Sequence, residues 1–202
     1  EIKFTESSLE VAIIEQLTEL GYDYAIDTDQ WSLSRSLDSF INEELLLDRL
    51  TAINPGVKTD ILEQAIAMLK NIDNPSLFER NHIVHKWLTD GIQVEDYHSD
   101  VNPLIRFIDF DNIKNNVFQV ANQLKFKESR NLRIPDVILF VNGIPLVIFE
   151  LKSIEYNEDT FIERAYEQLG RNGEADGYRF DIPTLFNYNG FLIISDGANN
   201  KV

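Results

Sequence analysis

The sequence contains no cysteine, which excludes a disulfide framework, a thiolate metal site and a cysteine nucleophile. It has no apolar run that approaches the roughly 20 residues needed to span a bilayer. Its first residues, EIKFTESSLE, show no signal-peptide pattern. These absences predict a cytoplasmic protein with no membrane partner.

Basic residues are scarce, because 18 Lys and Arg stand against 34 Asp and Glu, for a net charge of −16. Phosphate contacts supply most of the affinity for nucleic acid, so such an acidic chain is not expected to bind DNA tightly by itself. The exception is one basic segment, KFKESRNLR, which runs directly into Asp136. It supplies four candidate DNA contacts: Lys125, Lys127, Arg130 and Arg133.

The length of 202 residues and the hydrophobic content of 44% suit one globular domain. Hydrophobic periodicity predicts an N-terminal helix, an all-helical stretch over about 35–91, several strands that include LIRFIDF, another helix and a last strand. This order predicts an α/β layer fold with a helical insertion before the sheet. The chain begins without Met and stops just after an apolar strand, so we expect a piece of a longer protein.

The segment PDVILFVNGIPLVIFELKS is typical of a hairpin, because two apolar runs flank Asn142-Gly143. Glu150 and Lys152 are two residues apart and therefore share one face of their strand. Asp136 begins the partner strand, and the register decides its neighbour. A two-residue turn places Asp136 opposite Phe149, whereas a three-residue turn with a bulge places it opposite Glu150.

In the second register the Cβ atoms of Asp136 and Glu150 would lie roughly 4.5–5.5 Å apart. Two carboxylates so close repel each other unless one is protonated or a cation lies between them. Mg²⁺ prefers carboxylate, carbonyl and water oxygens, and Lys152 beside it would stabilise charge on a phosphate. A Glu-x-Lys triplet alone is usually an exposed ion pair, so the hypothesis of a metal site depends on Asp136.

Glu10 is an acidic residue in the apolar stripe of the first helix, beside Ile13, Ile14 and Leu17. Such a placement is costly unless something compensates the charge. One interpretation is a side chain that reaches solvent near the first helical turn, where the helix dipole favours an acid. The other is a further carboxylate directed at the same metal site.

Five segments in order carry a resemblance to a known family: LEVAIIEQLTELGY, SLFERNHIVHKWLTDGI, PDVILFVNGIPLVIFELKS, AYEQLG and DIPTLFNYNGFLIISDG. Together they resemble the N-terminal nuclease domain of the restriction (R) subunit of type I restriction-modification enzymes, in the PD-(D/E)xK nuclease superfamily. The resemblance spans nearly the whole chain. It implies a three-layer α/β/α restriction-endonuclease-like core with a mixed central sheet, in one domain over 1–202 that contains the helical insertion.

The resemblance also implies a Mg²⁺-dependent endonuclease, a type I site-specific deoxyribonuclease that cleaves double-stranded DNA. Its expected partners are the modification and specificity subunits and a downstream ATP-dependent, helicase-like motor that delivers the DNA. No G-x-x-x-x-G-K-[ST] loop occurs in the sequence. We therefore assign ATP to the motor alone.

The resemblance assigns roles to individual residues. Asp136 and Glu150 would be metal ligands, Leu151 would offer its carbonyl, and Lys152 would be the catalytic lysine. Glu10 would be the acid of the first helix and a third metal ligand.

The family also carries a Q-x-x-x-Y motif on the helix after this hairpin. Gln168 would be its glutamine, a further catalytic residue, but Asn172 stands at the tyrosine position. Either Tyr178, within the apparent insertion GEADGYRF, takes the place of that tyrosine, or the role is absent.

Two other functions remain open at this point. One is a non-catalytic docking module of nuclease fold within a larger DNA-processing complex, which would have no need of the complete set Asp136, Glu150 and Lys152. The other is a stand-alone nuclease or junction resolvase of the same superfamily.

Overall fold

The computed structural model describes residues 5–25, 35–153, 158–170, 176–197 and 200–202. The helices are α1 (Glu6–Glu19), α2 (Glu43–Ile53), α3 (Thr59–Lys70), α4 (Leu77–Asp90), α5 (Glu158–Leu169), α6 (Tyr178–Asp181) and α7 (Leu185–Tyr188), with a 3₁₀ turn at Ile113–Asn115. The strands are β1 (Asp23–Tyr24), β2 (Ile92–Gln93), β3 (Leu104–Ile105), β4 (Phe118–Asn122), β5 (Val137–Val141), β6 (Ile144–Leu151), β7 (Phe191–Ser195) and β8 (Asn200–Lys201).

Six strands form one sheet in the order β1-β4-β5-β6-β7-β8. The pairs β1–β4 and β6–β7 are parallel, and the other three pairs are antiparallel. This mixed sheet confirms the α/β class. Because β5 runs against its neighbours, it begins at the edge of the sheet where β4, β6 and β7 end.

The segment LIRFIDF, predicted as a strand, forms only the two residues of β3, in a separate hairpin with β2. The side chain of Asn54 explains the early end. Its Oδ1 accepts from the backbone N–H of Arg106 at 2.8 Å, and its Nδ2 donates to the Arg106 carbonyl at 3.0 Å. These bonds satisfy the peptide groups of Arg106 without a neighbouring strand.

Helix α1 covers one face of the sheet. It begins at a capping box formed by Thr5 and Ser8, in which each side chain accepts from the other residue's backbone N–H. Its buried Leu9 and Ile14 pack in one cluster with Val137 and Leu139 of β5. The alternation of side chains along β5 directs its other residues to the opposite face.

The opposite face contains the larger core. Ile138 and Phe140 of β5 belong there to one cluster with Ala165 and Leu169 of α5. Helices α2, α3 and α4, which lie within the predicted helical segment, add their buried residues to the same cluster. Helices therefore pack on both faces of the sheet. Along the described part of the chain, no helix has the length and apolar character to cross a membrane.

The β5–β6 turn anchors the helical segment to the sheet. Asn142 and Gly143 both have positive φ, 52° and 82°, as a two-residue hairpin turn of the primed type requires. The Gly143 carbonyl accepts from the backbone N–H of Asn42, the residue that caps α2. A Cβ on Gly143 would lie 2.6 Å from the Asn42 carbonyl oxygen, so only glycine fits there.

Candidate active site at one edge of the sheet

The register of β5 and β6 combines the two alternatives that the sequence left open. The turn has two residues, with Val141 opposite Ile144, but the register shifts between Phe140 and Leu139. Leu146 is the extra residue of this bulge, and beyond it Val137 lies opposite Phe149. The same register continued by one residue places Asp136 opposite Glu150, as the hairpin hypothesis required.

The bulge is held by the loop before β7. The backbone N–H of Gly190 donates to the Leu146 carbonyl at 2.8 Å, and the side-chain amide of Asn189 donates to the same oxygen at 3.3 Å. The loop before β7 thus supplies hydrogen-bond donors to the carbonyl of the bulged residue, Leu146. The bulge that shifts the register before Asp136 is thus hydrogen-bonded to a loop more than forty residues further along the chain.

Asp136, Glu150 and Lys152 come together at the edge where β6 ends. Oδ2 of Asp136 accepts from the backbone N–H of Leu151 at 2.7 Å. Lys152 forms an ion pair with Oε1 of Glu150, and the two side chains are only 11% and 1% exposed. Oε2 of Glu150 is buried and has no hydrogen-bond partner among the residues that the structure describes. An orphaned carboxylate oxygen of this kind fits a cation as its missing partner.

Both carboxyl groups have raised pKa values in the absence of metal. Burial is the main cause at Glu150, whose pKa rises to about 7, and the charge of Asp136 adds to it while Lys152 opposes it. Burial also raises the pKa of Asp136, against the hydrogen bond from Leu151. The upward direction agrees with the prediction from like-charge repulsion, but desolvation contributes more than repulsion does.

We expect Glu150→Gln to stabilise the metal-free chain at neutral and higher pH. Above about pH 7 folding must keep a buried carboxylate charged, whereas the unfolded chain ionises it freely above its ordinary pKa of 4.5. The gain in unfolding free energy, about 1 kcal/mol or more, should shrink as the pH falls from about 7 towards 4.5. Thermal melts over this pH range measure it. A substitution that destabilises equally at every pH would contradict the assignment, and Glu63→Gln, on the exposed face of α3, is the control.

Glu10 lies within electrostatic reach of Asp136, but other side chains hold its carboxylate. Its Oε1 accepts from the Asn122 side chain, and its Oε2 accepts from Nε2 of Gln123 at 2.8 Å. The backbone N–H of Gln123 donates in turn to the Asp136 carbonyl at 3.1 Å. Within the described ranges no three His, Asp or Glu side chains form a metal-binding group. The proximity of Glu10 is thus observed, and its role as a metal ligand stays a prediction.

Glu6 is a member of the acidic cluster that the sequence reasoning missed. Its charge raises the pKa of both Asp136 and Glu150, although burial is the larger cause at each. Glu6 precedes Glu10 by four residues on α1, so the two lie on one face of the helix. That spacing was the signal available in the sequence.

Gln168 contacts Tyr178, the residue that could replace the missing tyrosine of the Q-x-x-x-Y motif. Its Nε2 donates to the Tyr178 hydroxyl at 2.7 Å, and that hydroxyl donates to the Ile134 carbonyl at 3.1 Å. Tyr178 is 2% exposed, and its pKa is raised by burial first and then by the charge of Glu150. Tyr178 thus lies next to Gln168 and within electrostatic reach of Glu150, although a different number of residues separates it from Gln168.

The basic segment divides into exposed and engaged side chains. Lys127 and Arg130 are exposed on a loop that an antiparallel bridge between Phe126 and Arg133 closes, and Lys125 is exposed just before this bridge. Arg133 points instead at two carboxylates and forms ion pairs with them. The loop lies next to Asp136 along the chain, as the sequence predicted, but only three of its four basic side chains are available at the surface.

Comparison with known proteins identifies the family of the chain. Residues 3–202 match the family model described as "Type I restriction enzyme R protein N terminus". The chain is 32% identical to the type I restriction enzyme HindI endonuclease subunit of Haemophilus influenzae, over 95% of this chain and 18% of that protein. It is 30% identical to the putative type I restriction enzyme MjaIXP endonuclease subunit of Methanocaldococcus jannaschii, over 96% of this chain and 18% of that protein.

A third relative is the type I restriction enzyme SauMSSORF170P endonuclease subunit of Staphylococcus aureus, which is 32% identical over 98% of this chain and 19% of its own length. The chain thus spans about a fifth of the length of these relatives. Since the family model covers nearly all of the sequence, the chain belongs to the family of type I restriction enzyme R protein N termini.

Proposed function

We propose that this chain is the Mg²⁺-dependent endonuclease domain of a type I restriction enzyme R subunit and hydrolyses phosphodiester bonds of double-stranded DNA. The observation that carries the proposal is the pair of carboxylates at the sheet edge. Oδ2 of Asp136 accepts from the Leu151 backbone N–H, and beside Lys152 a buried oxygen of Glu150 lacks a hydrogen-bond partner among the described residues. This donor set of hard oxygens with an adjacent ammonium suits a divalent cation and a phosphate.

The two carboxylates and the Leu151 carbonyl would hold the ion. When bound, Mg²⁺ supplies electrophilic polarisation of the phosphate and activation of water. Glu150 and Asp136 bind in their ionised forms, which the low dielectric of the metal-free site disfavours. Lys152 directs its ammonium to the same place, where it stabilises negative charge that grows on the phosphate in the transition state.

The sheet and its two helical layers support the finer fold, a three-layer α/β/α restriction-endonuclease-like core with the helical insertion within it. In this fold α1 brings Glu10 from one layer, while α5 and α6 bring Gln168 and Tyr178 from the other. Both groups approach the edge where β4 and β6 end. We assign Glu10 and Gln168 to the catalytic machinery on this placement.

DNA would reach the site from the exposed basic side chains Lys125, Lys127 and Arg130. With a net charge of −16, the chain depends on other parts of the enzyme for DNA affinity. We assign that task to an ATP-dependent motor and to the modification and specificity subunits, as in a complete type I restriction enzyme.

Metal binding by the isolated chain tests the proposed site without any cleavage assay. We expect Mg²⁺ or Mn²⁺ to raise the melting temperature of the wild type. The free energy of unfolding should rise by about 1.4 kcal/mol when the free metal concentration is ten times Kd. Asp136→Asn and Glu150→Gln should remove most of this gain, because each removes a charged ligand. Glu63→Gln, an exposed acid on α3, should retain it. Equal stabilisation of all four proteins by the metal would contradict the site.

A further inference from the structure

Three side chains of the basic segment donate hydrogen bonds to the buried carboxylate of Asp181. The side chain of Asp181 is 0% exposed and accepts from Nε of Arg133 at 2.7 Å and from Nδ2 of Asn131 at 3.1 Å. The hydroxyl of Ser129 reaches it at 3.3 Å. Burial, the largest single cause, acts to raise the pKa of Asp181, but the hydrogen bonds from Arg133, Asn131 and Ser129 and the charge of Arg133 together lower the pKa. Asp181 is therefore a charged anchor for this loop.

The guanidinium of Arg133 forms ion pairs with two carboxylates of the protein. Besides Asp181, it donates from its terminal nitrogen to Asp176 at 2.7 Å, and its side chain is only 21% exposed. Two carboxylates on one guanidinium leave a local negative charge, which disfavours a phosphate at the same place. Arg130, by contrast, is exposed and has no ion pair among the described residues, and its guanidinium lies 5.9 Å from the ring centre of Phe180.

The anchor is connected to the candidate active site through α6. Asp181 ends this helix and Tyr178 begins it, one turn earlier. The Tyr178 hydroxyl joins Gln168 of α5 to the carbonyl of Ile134, which follows Arg133 directly in the chain. The Arg133 guanidinium also lies 5.7 Å from the centre of the Tyr178 ring. The pair Arg133–Asp181 thus fixes α6 against the backbone that leads into Asp136.

We propose that Arg133 is a positioning residue of the nuclease site, which acts through Asp181 to hold Tyr178 and Gln168 against Asp136 and Glu150, and that it is not a DNA contact. This inference rests on the proposed function. A guanidinium suits the task because Nε and a terminal nitrogen of Arg133 reach the same Asp181 oxygen, Oδ2, from one rigid plane, whereas a lysine would supply only a point charge. Small displacements of positioned groups are costly, about 10²-fold in rate for about 1 Å.

The test uses the complete R subunit assembled with its partner subunits. Single-turnover DNA cleavage and ATP hydrolysis are measured for the wild type, Arg133→Lys, Tyr178→Phe and the double variant. We expect each single variant to lower cleavage about 10- to 100-fold while ATP hydrolysis persists. The double variant should cleave as fast as the slower of the two single variants, because both changes break the same linkage. Additive losses, or wild-type cleavage by Arg133→Lys, would overturn the inference.

DNA binding at several salt concentrations separates positioning from contact. Arg130→Gln, on the exposed part of the same loop, should lower the slope of log affinity against log salt by about 1. Arg133→Gln should leave this slope at the wild-type value. An equal drop in both variants would make Arg133 a DNA contact and overturn the inference.

Asp181→Asn provides a second variant in case Arg133→Lys fails to fold, which thermal melting would show. It retains the shape and one acceptor of the carboxylate but loses the charge, and it should lower cleavage with no change in the salt slope. Wild-type cleavage by Asp181→Asn would overturn the inference. Asp136→Ala distinguishes the nuclease site from the positioning role. If this variant retains cleavage, the proposed function fails. If it abolishes cleavage while Arg133 variants cleave normally, only the positioning role fails.

Discussion

We expect Asp136→Ala, Glu150→Ala and Lys152→Ala each to abolish double-strand DNA cleavage by the complete motor-containing enzyme, while ATP hydrolysis and translocation continue. The two carboxylates would hold the ion that polarises the phosphate, and Lys152 adds positive charge where the transition state becomes more negative. Removal of one such group commonly lowers the rate about 10²- to 10³-fold or more. The three residues lie at one edge of the sheet, and the sequence contains no Walker A loop, so the motor should be unaffected.

Cleavage of plasmid DNA and ATP turnover, measured on the same preparations, check this expectation. Lys114→Ala, an exposed lysine in the 3₁₀ turn, and Glu63→Ala on α3 are matched controls that should cleave as the wild type does. Wild-type cleavage by Lys152→Ala would remove its catalytic assignment. Loss of ATP hydrolysis together with cleavage would favour the alternative of a docking module that supports assembly.

We expect Asn142→Ala, in the β5–β6 turn, to cause a large loss of stability. The side chain is fully buried, and it accepts from the Val117 backbone N–H at 2.8 Å and donates to the Phe107 carbonyl and the Asn116 side chain at 2.9 Å each. Each buried partner left without a hydrogen bond costs about 1–3 kcal/mol. Alanine also tolerates the positive φ of this position less well than asparagine does.

The sum is a loss of about 3–4 kcal/mol in the free energy of unfolding, which urea denaturation of the chain measures. Asn112→Ala, on the exposed surface before the 3₁₀ turn, is the control and should change the unfolding free energy by less than about 0.5 kcal/mol. If Asn142→Ala unfolds at the same urea concentration as the control, the turn does not carry the packing role assigned to it.

The local parts of the candidate site follow from the sequence alone. Strand periodicity places Glu150 and Lys152 on one face, and Asn142-Gly143 specifies a hairpin turn because both residues tolerate positive φ. Helical periodicity likewise predicts α1 with Glu10 in its stripe. These features depend on residues a few positions apart, for which the backbone geometry of a helix or strand is enough.

Contacts between distant segments were decided only by the tertiary structure. The turn has two residues, yet a bulge at Leu146 shifts the register so that Val137 lies opposite Phe149 and the next residues in line are Asp136 and Glu150. The loop before β7 donates to the Leu146 carbonyl. No periodicity encodes that choice, since one inserted residue exchanges the two faces of a strand.

The partners of the charged side chains depend on packing in the same way. Arg133 reads as a basic surface residue in the sequence, but Asp181, 48 positions away, lies buried beside it and engages it in an ion pair. Tyr178 likewise reaches Gln168 only because α6 packs at the end of α5. The sequence by itself determined which chemical groups are present and which face of each element carries them. Which groups meet was decided by the tertiary structure, because long-range contacts form only where the packed core brings separate elements together.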